Sequence, residues 1–369
     1  MKKLKILIFV LVNLGWFNCT EKYNFKISSD IPQVIIEAFI SNKSYEESKL
    51  YPAEGRFFYV KLSYLGDIDY TKNQIISEAK VTLVDDQGNK WNYIENLLDK
   101  GTYYIYSQNF KAQFGIKYKL NVELKSGEIF ESEWQSMPTE RTEIGNISFN
   151  EVTNYKYIRR NVNEQVLREF NAIDVNIILP VNHNKEKKYY KWTFDPIWIY
   201  IDPKAVQGSV NKKCWVTDKT YLKKFALQKD EVGSYKTKLF NIETTGNERI
   251  YEYFSVLITQ QNISEGYYHF WDDLLAQNEK GGLFDYPPFN LNTNFKAVNN
   301  DFKVQGYFSV VTENAYRWVL NINELSYPIV NNLLELCNIP QSPAPLTNPC
   351  RSCMDYSTGF PQNKPPEWW

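Results

Sequence analysis

Cysteines are the residues of this chain with the most sharply defined chemistry. Four of the five lie in the second half, at Cys214, Cys337, Cys350 and Cys353. An even number in an oxidising compartment predicts disulfides. We expect two, with Cys350 and Cys353 reaching different partners, because this staples a proline-rich C-terminal segment to a body with a larger core. The alternatives are a zinc site, for which a second CxxC is missing, and a redox CxxC.

The fifth cysteine, Cys19, follows a segment typical of export. Three lysines within the first five residues precede an apolar run that is too short to span a bilayer. Residues 1–18 are therefore predicted to be a lipoprotein signal peptide, removed before Cys19 receives lipid. Asn18 and Trp16 depart from the residues usual before such a cysteine, so the competing hypothesis is an ordinary Cys19 beyond another cleavage point. Lipidation of Cys19 would anchor the protein to a membrane without spanning it.

A histidine and an acid at helical spacing suggest acid–base chemistry. His269 and Asp273 lie four residues apart in a predicted helix and could serve as a base and its orienting carboxylate. The apolar stripe of this helix lies on the opposite face, which favours a solvated pair. The GxSxG, HExxH, P-loop and GxGxxG signatures are missing from the sequence. Paired carboxylates for glycoside hydrolysis depend on distances in the fold. We therefore assign no catalytic, cofactor-binding or metal-binding residue.

Composition excludes two classes of protein. The chain has 369 residues with 10 Trp, 27 Tyr and 22 Phe, too many aromatic residues for a disordered chain. Its formal net charge is −1, without the basic excess that nucleic-acid backbones require. We therefore expect a folded protein with no nucleic-acid partner. The aromatic side chains would mostly pack cores, and a sugar-stacking platform is the less common alternative.

Strand patterns dominate the remaining chain and predict a mainly β fold. Apolar and polar residues alternate with the period of a half-buried strand in many short segments. One helix is expected from an N-cap at Ser264 to a stop at Gly281-Gly282. The strands are predicted at 34–40, 58–64, 79–83, 91–93, 118–124, 175–179, 189–201, 250–259, 304–311 and 316–322.

These elements predict five segments in chain order. The signal peptide, 1–18, precedes a polar tether, 19–31. A β-sandwich of immunoglobulin or transthyretin type then occupies 32–138, because short strands and turns follow one another there. A second β-rich domain with the inserted helix spans 139–337. The last segment, 338–369, is a proline-rich tail stapled by cysteines.

Several motifs together give the chain a family resemblance. They are Cys214-Trp215, the stretch YHFWDDLLAQNEKGGLFD at 268–285, VQGYFS at 304–309 and the terminal CxxC followed by KPPEW at 364–368. With these the chain resembles the domain-of-unknown-function 4249 family. The resemblance implies an outer-membrane lipoprotein of Bacteroidota, with genes often beside TonB-dependent transporters. It implies no established activity and no cofactor.

Location and resemblance together lead to one functional expectation. The protein is expected to be a non-enzymatic outer-membrane lipoprotein that accompanies a TonB-dependent transporter as a ligand-handling or assembly partner. Its membrane face and its small ligand stay open. The alternatives are a surface hydrolase acting on glycan or peptide, which an acidic pair in a deep cleft would support, and a purely structural envelope protein.

Overall fold

The computed structural model describes most of the chain beyond its first 32 residues. The described residues are 33–65, 74–138, 143–161, 164–183, 186–206, 208–231, 233, 235–279, 291–338 and 349–369. The predicted signal peptide, the tether and Cys19 lie outside them.

The described chain is mainly β, as predicted. Its strands, numbered in chain order, are β1 (Gln33–Ser41), β2 (Tyr59–Tyr64), β3 (Gln74–Ile75), β4 (Lys80–Asp85), β5 (Lys90–Asn92), β6 (Ile94–Glu95), β7 (Thr102–Tyr104), β8 (Lys117–Glu123), β9 (Ile129–Ser132), β10 (Gln135–Ser136), β11 (Asn146–Asn161), β12 (Glu164–Ile178), β13 (Lys188–Ile201), β14 (Lys213–Thr217), β15 (Phe225–Asp230), β16 (Lys236–Glu243), β17 (Tyr253–Ile263), β18 (Phe295–Ala297), β19 (Lys303–Val319) and β20 (Phe360–Gln362). The helices are α1 (Tyr45–Lys49), α2 (Glu265–Glu279) and α3 (Leu333–Asn338).

One large sheet supports two smaller ones. Its main path runs β20-β14-β13-β17-β19-β1-β2-β7-β6, with β15 beside β13 and β3 beside β2. A second sheet runs β18-β9-β8-β4-β5 with β10 beside β8, and a third runs β11-β12-β16. Because strand residues alternate between faces, the large sheet has one inner face towards the smaller sheets and one outer face.

Two hydrophobic cores lie on the inner face. The first packs β1 and β2 against the second sheet, with Ile36 and Leu62 beside Leu83 and Leu120. The second packs β13 and β17 against the third sheet, with Trp192 and Phe254 as major contributors. The alternation predicted for the early strands is thus confirmed.

The large sheet joins the beginning of the described chain to its later part. β1 pairs in parallel with β19, and Ile36 lies opposite Gly306. Gly306 has φ +111°, and a Cβ there would approach the Ile36 carbonyl oxygen to 1.9 Å, so this pairing requires glycine. The sheet therefore runs across the predicted division between 32–138 and 139–337, and that division stays a prediction.

Strand β19 corrects one sequence prediction. Separate strands were expected at 304–311 and 316–322, but a single strand, β19, includes the first segment and residues 316–319 of the second and ends at Val319. The intervening Glu313 is charged and only 4% exposed, which sequence patterns read as an interruption. An arginine described below neutralises it, and the strand continues.

Helix α2 has the predicted beginning. The Ser264 hydroxyl accepts a hydrogen bond from the Tyr267 backbone N–H at 3.3 Å, as an N-cap does. Tyr267 and Phe270 are buried against Tyr189 and Tyr307 of the large sheet, so α2 covers part of its outer face. The predicted stop at Gly281-Gly282 lies outside the described residues.

The four later cysteines form two disulfides. Cys214 pairs with Cys353, and Cys337 pairs with Cys350, so the two CxxC cysteines reach different partners as predicted. Beyond Cys353 the tail adds β20 to the edge strand β14. The first disulfide and this pairing together hold the tail against the large sheet.

Strands β11 and β12 form a ribbon that extends beyond the third sheet. β16 pairs with β12 only at Ala172–Ile178, whereas β11 and β12 pair with each other out to Asn161 and Glu164. Large side chains on the extension are exposed, including Tyr155 at 59% and Tyr157 at 71%. This extension, residues 152–171, is called the ribbon below.

Candidate functional site

The outer face of the large sheet carries two rows of polar side chains. Lys191 on β13 lies opposite Gln261 on β17, which lies opposite Glu313 on β19. This set, Lys191, Gln261 and Glu313, is called the closed row. Four residues further along the same strands lie Asp195, Leu257 and Arg317, called the open row. In the closed row the base lies on β13 and the acid on β19, whereas in the open row the acid lies on β13 and the base on β19.

Helix α2 covers the lysine of the closed row. The Lys191 ammonium lies 3.7 Å from the centre of the Trp271 ring and 5.7 Å from those of Phe225 and Tyr267. Burial, and to a smaller extent the charge of Arg56, lowers the pKa of Lys191 to about 7 against the opposing charges of Glu37 and Glu313. Lys191 is therefore enclosed in an aromatic box, and it is burial that disfavours its charged form, since the ring faces themselves attract a cation.

At the other end of the closed row, Glu313 is neutralised by a half-buried arginine. The Arg56 Nη2 donates to both carboxylate oxygens of Glu313, at 2.9 and 2.7 Å. The Asn42 side-chain oxygen accepts from the Glu313 backbone N–H at 2.7 Å. Arg56 comes from the segment after α1, so this pair ties that segment to the sheet.

Beside the pair lies a cleft whose floor contains the open row. It has a volume of about 320 Å³, a size typical of small-molecule sites. The segment from Ser48 to Arg56 forms one wall, and the tail residues Gln362, Pro366 and Trp368 form another. The floor combines apolar Ile197, Leu257 and Ala315 with the charged ends of the open row.

Arg317 is held in place at the cleft without a carboxylate partner in the described part of the chain. Its Nε donates to the Pro52 carbonyl oxygen at 2.6 Å, and its Nη1 donates to the Ser255 hydroxyl at 3.3 Å. Its guanidinium carbon lies 4.0 Å from the centre of the Trp368 ring. No carboxylate oxygen of the described residues lies within 4.0 Å of its nitrogens. Burial lowers the pKa of Arg317 to about 10, so it remains charged at neutral pH.

The tail supplies aromatic walls. Trp369 packs against Trp215 and Tyr253, with ring centres 6.0 and 4.8 Å away. The neighbouring Trp368 and Trp215 line the cleft. The indole Nε1 of Trp215 is buried and has no hydrogen-bond partner among the described residues.

Asp195 at the other end of the open row has a loosely held partner. Its carboxylate lies 3.7 Å from the Lys219 ammonium, and the Lys219 side chain is 84% exposed. A surface pair of this kind contributes little to stability. Lys219 can therefore leave Asp195 at small cost.

The histidine singled out in the sequence lies away from the cleft. His269 is exposed, with its Nε2 3.9 Å from a Glu265 oxygen, so its neighbour on the helix is Glu265. Among the described residues, no three His, Cys, Asp or Glu side chains gather in a metal-binding arrangement. No described helix is long and apolar enough to cross a bilayer.

Sequence reasoning missed most of the cleft residues. Arg56 precedes Glu313 by 257 residues, and the pairing of β1 with both β2 and β19 brings their elements together, whereas Glu313 and Arg317 lie on the same strand. One local signal was available: Lys191 and Asp195 are charged positions, on one face, within a strand otherwise rich in aromatic residues. Trp215 and Trp368 had been noted only as parts of the family motifs.

The fold and cleft define a β-rich protein with a small-molecule-sized site on the outer face of its central sheet. The sequence model of a domain of unknown function, DUF4249, matches residues 20–317. The chain belongs to this family. A comparison with curated proteins gives no match.

Proposed function

We propose that this protein is a non-enzymatic lipoprotein of the outer membrane that handles a small ligand for a TonB-dependent transporter. The cleft beside the open row carries the proposal. It has the volume of a ligand site, aromatic walls and a held guanidinium without a carboxylate partner among the described residues. Such a combination of apolar surface with a few placed polar groups is typical of binding sites.

The ribbon supports the partner role. A two-stranded ribbon is marginally stable when nothing packs on it, and exposed aromatic side chains are enriched where proteins associate. Between residues 152 and 171 the chain has four basic and two acidic side chains, unlike its nearly neutral whole. We propose that the ribbon is the surface on which the transporter docks.

The charge pairing in the cleft favours binding over hydrolysis. A glycan or peptide hydrolase would need a carboxylate pair available to a substrate. Three carboxylates line the cleft, those of Glu54, Asp195 and Glu313, but Arg56 engages both oxygens of Glu313 and Glu54 lies on the exposed wall segment. The hydrolase stays the second candidate because carboxylates do lie in a cleft. A purely structural protein would have no use for a held guanidinium there.

Affinity purification from solubilised outer membrane tests the proposal. A tagged full chain should retain a TonB-dependent transporter, and a Tyr155→Ser/Tyr157→Ser variant should retain less of it. A Tyr235→Ser variant is the matched control, because Tyr235 is also exposed but lies outside the ribbon. Recovery of no transporter by any of the three proteins would contradict the accessory role.

The anchor has a separate test. Cys19→Ser should release the protein from the membrane fraction or leave an unprocessed precursor, because the apolar segment of residues 6–14 is too short to hold it. Metabolic labelling with a fatty-acid analogue measures the modification. Equal labelling of the variant and the natural chain would show that Cys19 is not the lipidated residue.

A further inference from the structure

We propose that the cleft binds a short unblocked peptide of two or three residues, with its carboxylate on Arg317 and its ammonium on Asp195. This inference rests on the proposed ligand-handling function and names the chemical class of the ligand. The observation behind it is the open row, which places opposite charges at the two ends of an apolar floor residue, Leu257.

The spacing of the open row suits a zwitterion longer than a single amino acid. Asp195 and Arg317 lie two strands apart, so their backbones are separated by about 10 Å at the usual distance between strands. An extended peptide spans roughly 3.3 to 3.6 Å per residue, so two or three residues reach between the charged ends. The cleft volume of about 320 Å³ accommodates a molecule of this size.

The carboxylate end is matched by the donors of Arg317. A guanidinium has five N–H donors, and the Pro52 carbonyl and the Ser255 hydroxyl take one each. The flat fork of the remaining donors matches the two oxygens of a carboxylate. The ring of Trp368 and the bond to Pro52 fix the fork before the ligand arrives, which reduces the ordering cost of binding.

Asp195 matches the ammonium end of the peptide, and the cleft walls match the part of the peptide between its ends. Displacing the exposed Lys219 frees the Asp195 carboxylate for a ligand ammonium. Between the ends, Leu257 and Ala315 offer apolar contact to a peptide side chain. The lining charges balance, three acidic against three basic, as suits a ligand of zero net charge.

Titration of the purified full chain with four probes tests the inference. The probes are trialanine, N-acetyl-trialanine, trialanine amide and the neutral sugar maltotriose, followed by tryptophan fluorescence and calorimetry. Trialanine should bind, and blocking either end should weaken it by at least ~10-fold, the usual effect of losing a hydrogen bond to a charged group. Maltotriose should not bind.

Variants of the two charged residues show which of them binds each end of the peptide. Asp195→Asn should lose affinity for trialanine and become insensitive to N-acetylation, while Arg317→Gln should become insensitive to amidation. Arg317→Lys keeps the charge without the fork and should bind with intermediate affinity, provided its melting curve shows a folded protein. Lys213→Gln is the control, because Lys213 lies over Trp215 at 4.9 Å but does not line the cleft.

The outcomes separate this inference from the proposed function. Equal binding of free and blocked peptides, binding of maltotriose alone, or no peptide binding would each overturn the peptide assignment. Retention of the transporter by the same protein preparation would leave the accessory role intact in those cases. Loss of transporter retention together with normal trialanine binding would overturn the accessory role instead.

Discussion

The closed row and the open row lie on the same face of the same three strands, yet only the open row lies along the floor of the cleft, which the closed row reaches only through Glu313. Each has a cation against a tryptophan: Lys191 lies 3.7 Å from the Trp271 ring centre, and Arg317 lies 4.0 Å from that of Trp368. Over the lysine lies helix α2, whereas the arginine is flanked by a loop and the tail.

The difference shows how the covering element decides the chemistry of a row. Enclosure by the helix lowers the pKa of Lys191 to about 7, so this amine loses its charge more easily than any exposed lysine. The open row keeps a charged arginine, because the pKa of a guanidinium remains high after burial. The choice of lysine in one row and arginine in the other therefore matches a closed and an open environment.

Of all the variants, removal of the Cys214–Cys353 disulfide should have the largest effect, and it should affect the open row but not the closed row. Cys214→Ser/Cys353→Ser should lower the free energy of unfolding by about 4 kcal/mol, because the cross-link spans 139 residues and restricts the unfolded chain. It should also release Trp368 from the open row and leave the closed row intact. Urea unfolding measures the first effect and tryptophan fluorescence the second.

The other disulfide is the matched control for this experiment. Cys337→Ser/Cys350→Ser removes a cross-link over only 13 residues, so its entropic effect should be smaller. A larger loss from this variant than from Cys214→Ser/Cys353→Ser would contradict the assignment of the tail to the first bridge.

Opening the aromatic box around Lys191 should cause the next largest loss of stability. Trp271→Ala should lower the free energy of unfolding by about 3 kcal/mol, since it removes the ring that packs on Phe225 and Lys191. His269→Ala, on the exposed side of α2, should change it little. Thermal melts that show the opposite order would mean that α2 covers the sheet with its other face.

The charge state of Lys191 gives a pH-dependent prediction. Between pH 7 and 10.5 the unfolded chain holds the Lys191 proton while the native state releases it, so native stability rises with pH. Lys191→Met removes this cost and should stabilise the protein by about 1 to 4 kcal/mol at pH 6 and by less at pH 9.

Urea unfolding at several pH values measures the gap, that is, the difference in free energy of unfolding between Lys191→Met and the natural chain. Arg56, Glu37, Glu313 and the ring of Tyr267 face the ammonium and remain in the variant. Lys213→Met, at an exposed lysine that also lies over a tryptophan, is the control. A constant gap between pH 6 and pH 9 would show that Lys191 keeps its proton throughout.

The smallest effect on stability is expected at the open row. Trp368→Ala should change the free energy of unfolding by less than about 1 kcal/mol, because Trp368 stacks on a partly exposed arginine at the edge of the fold. It should nevertheless weaken trialanine binding, since the ring holds the Arg317 guanidinium. Unchanged binding would show that the Pro52 and Ser255 hydrogen bonds position the guanidinium without the ring.

Local patterns explain why much of the fold was predictable from the sequence. The strand at Lys117–Glu123 alternates apolar with polar residues, and the α2 N-cap follows from Ser264 itself. The prediction that Cys350 and Cys353 pair with different cysteines followed from the lack of a core in the tail. Each of these depends on residues close together in the chain or on chemistry with few outcomes.

The open row was not predictable, because it depends on pairings between distant strands. Asp195 and Arg317 become neighbours across Leu257 only through the register of β13, β17 and β19. A one-residue shift of register would turn every such side chain to the other face of the sheet. Periodicity indicates that a strand exists, but it does not indicate which strand lies beside it.

The parallel pairing of β1 with β19 also sets an order for folding. Gln33 pairs with Lys303, so the early sandwich lacks a strand of its sheet until nearly the whole chain is present. Contacts between such distant residues slow folding, because a long loop must close first. During that interval the apolar edge of β1 stays unpaired and prone to aggregation. From the time β1 emerges until β19 can join it, this edge is therefore open to pairing with other chains.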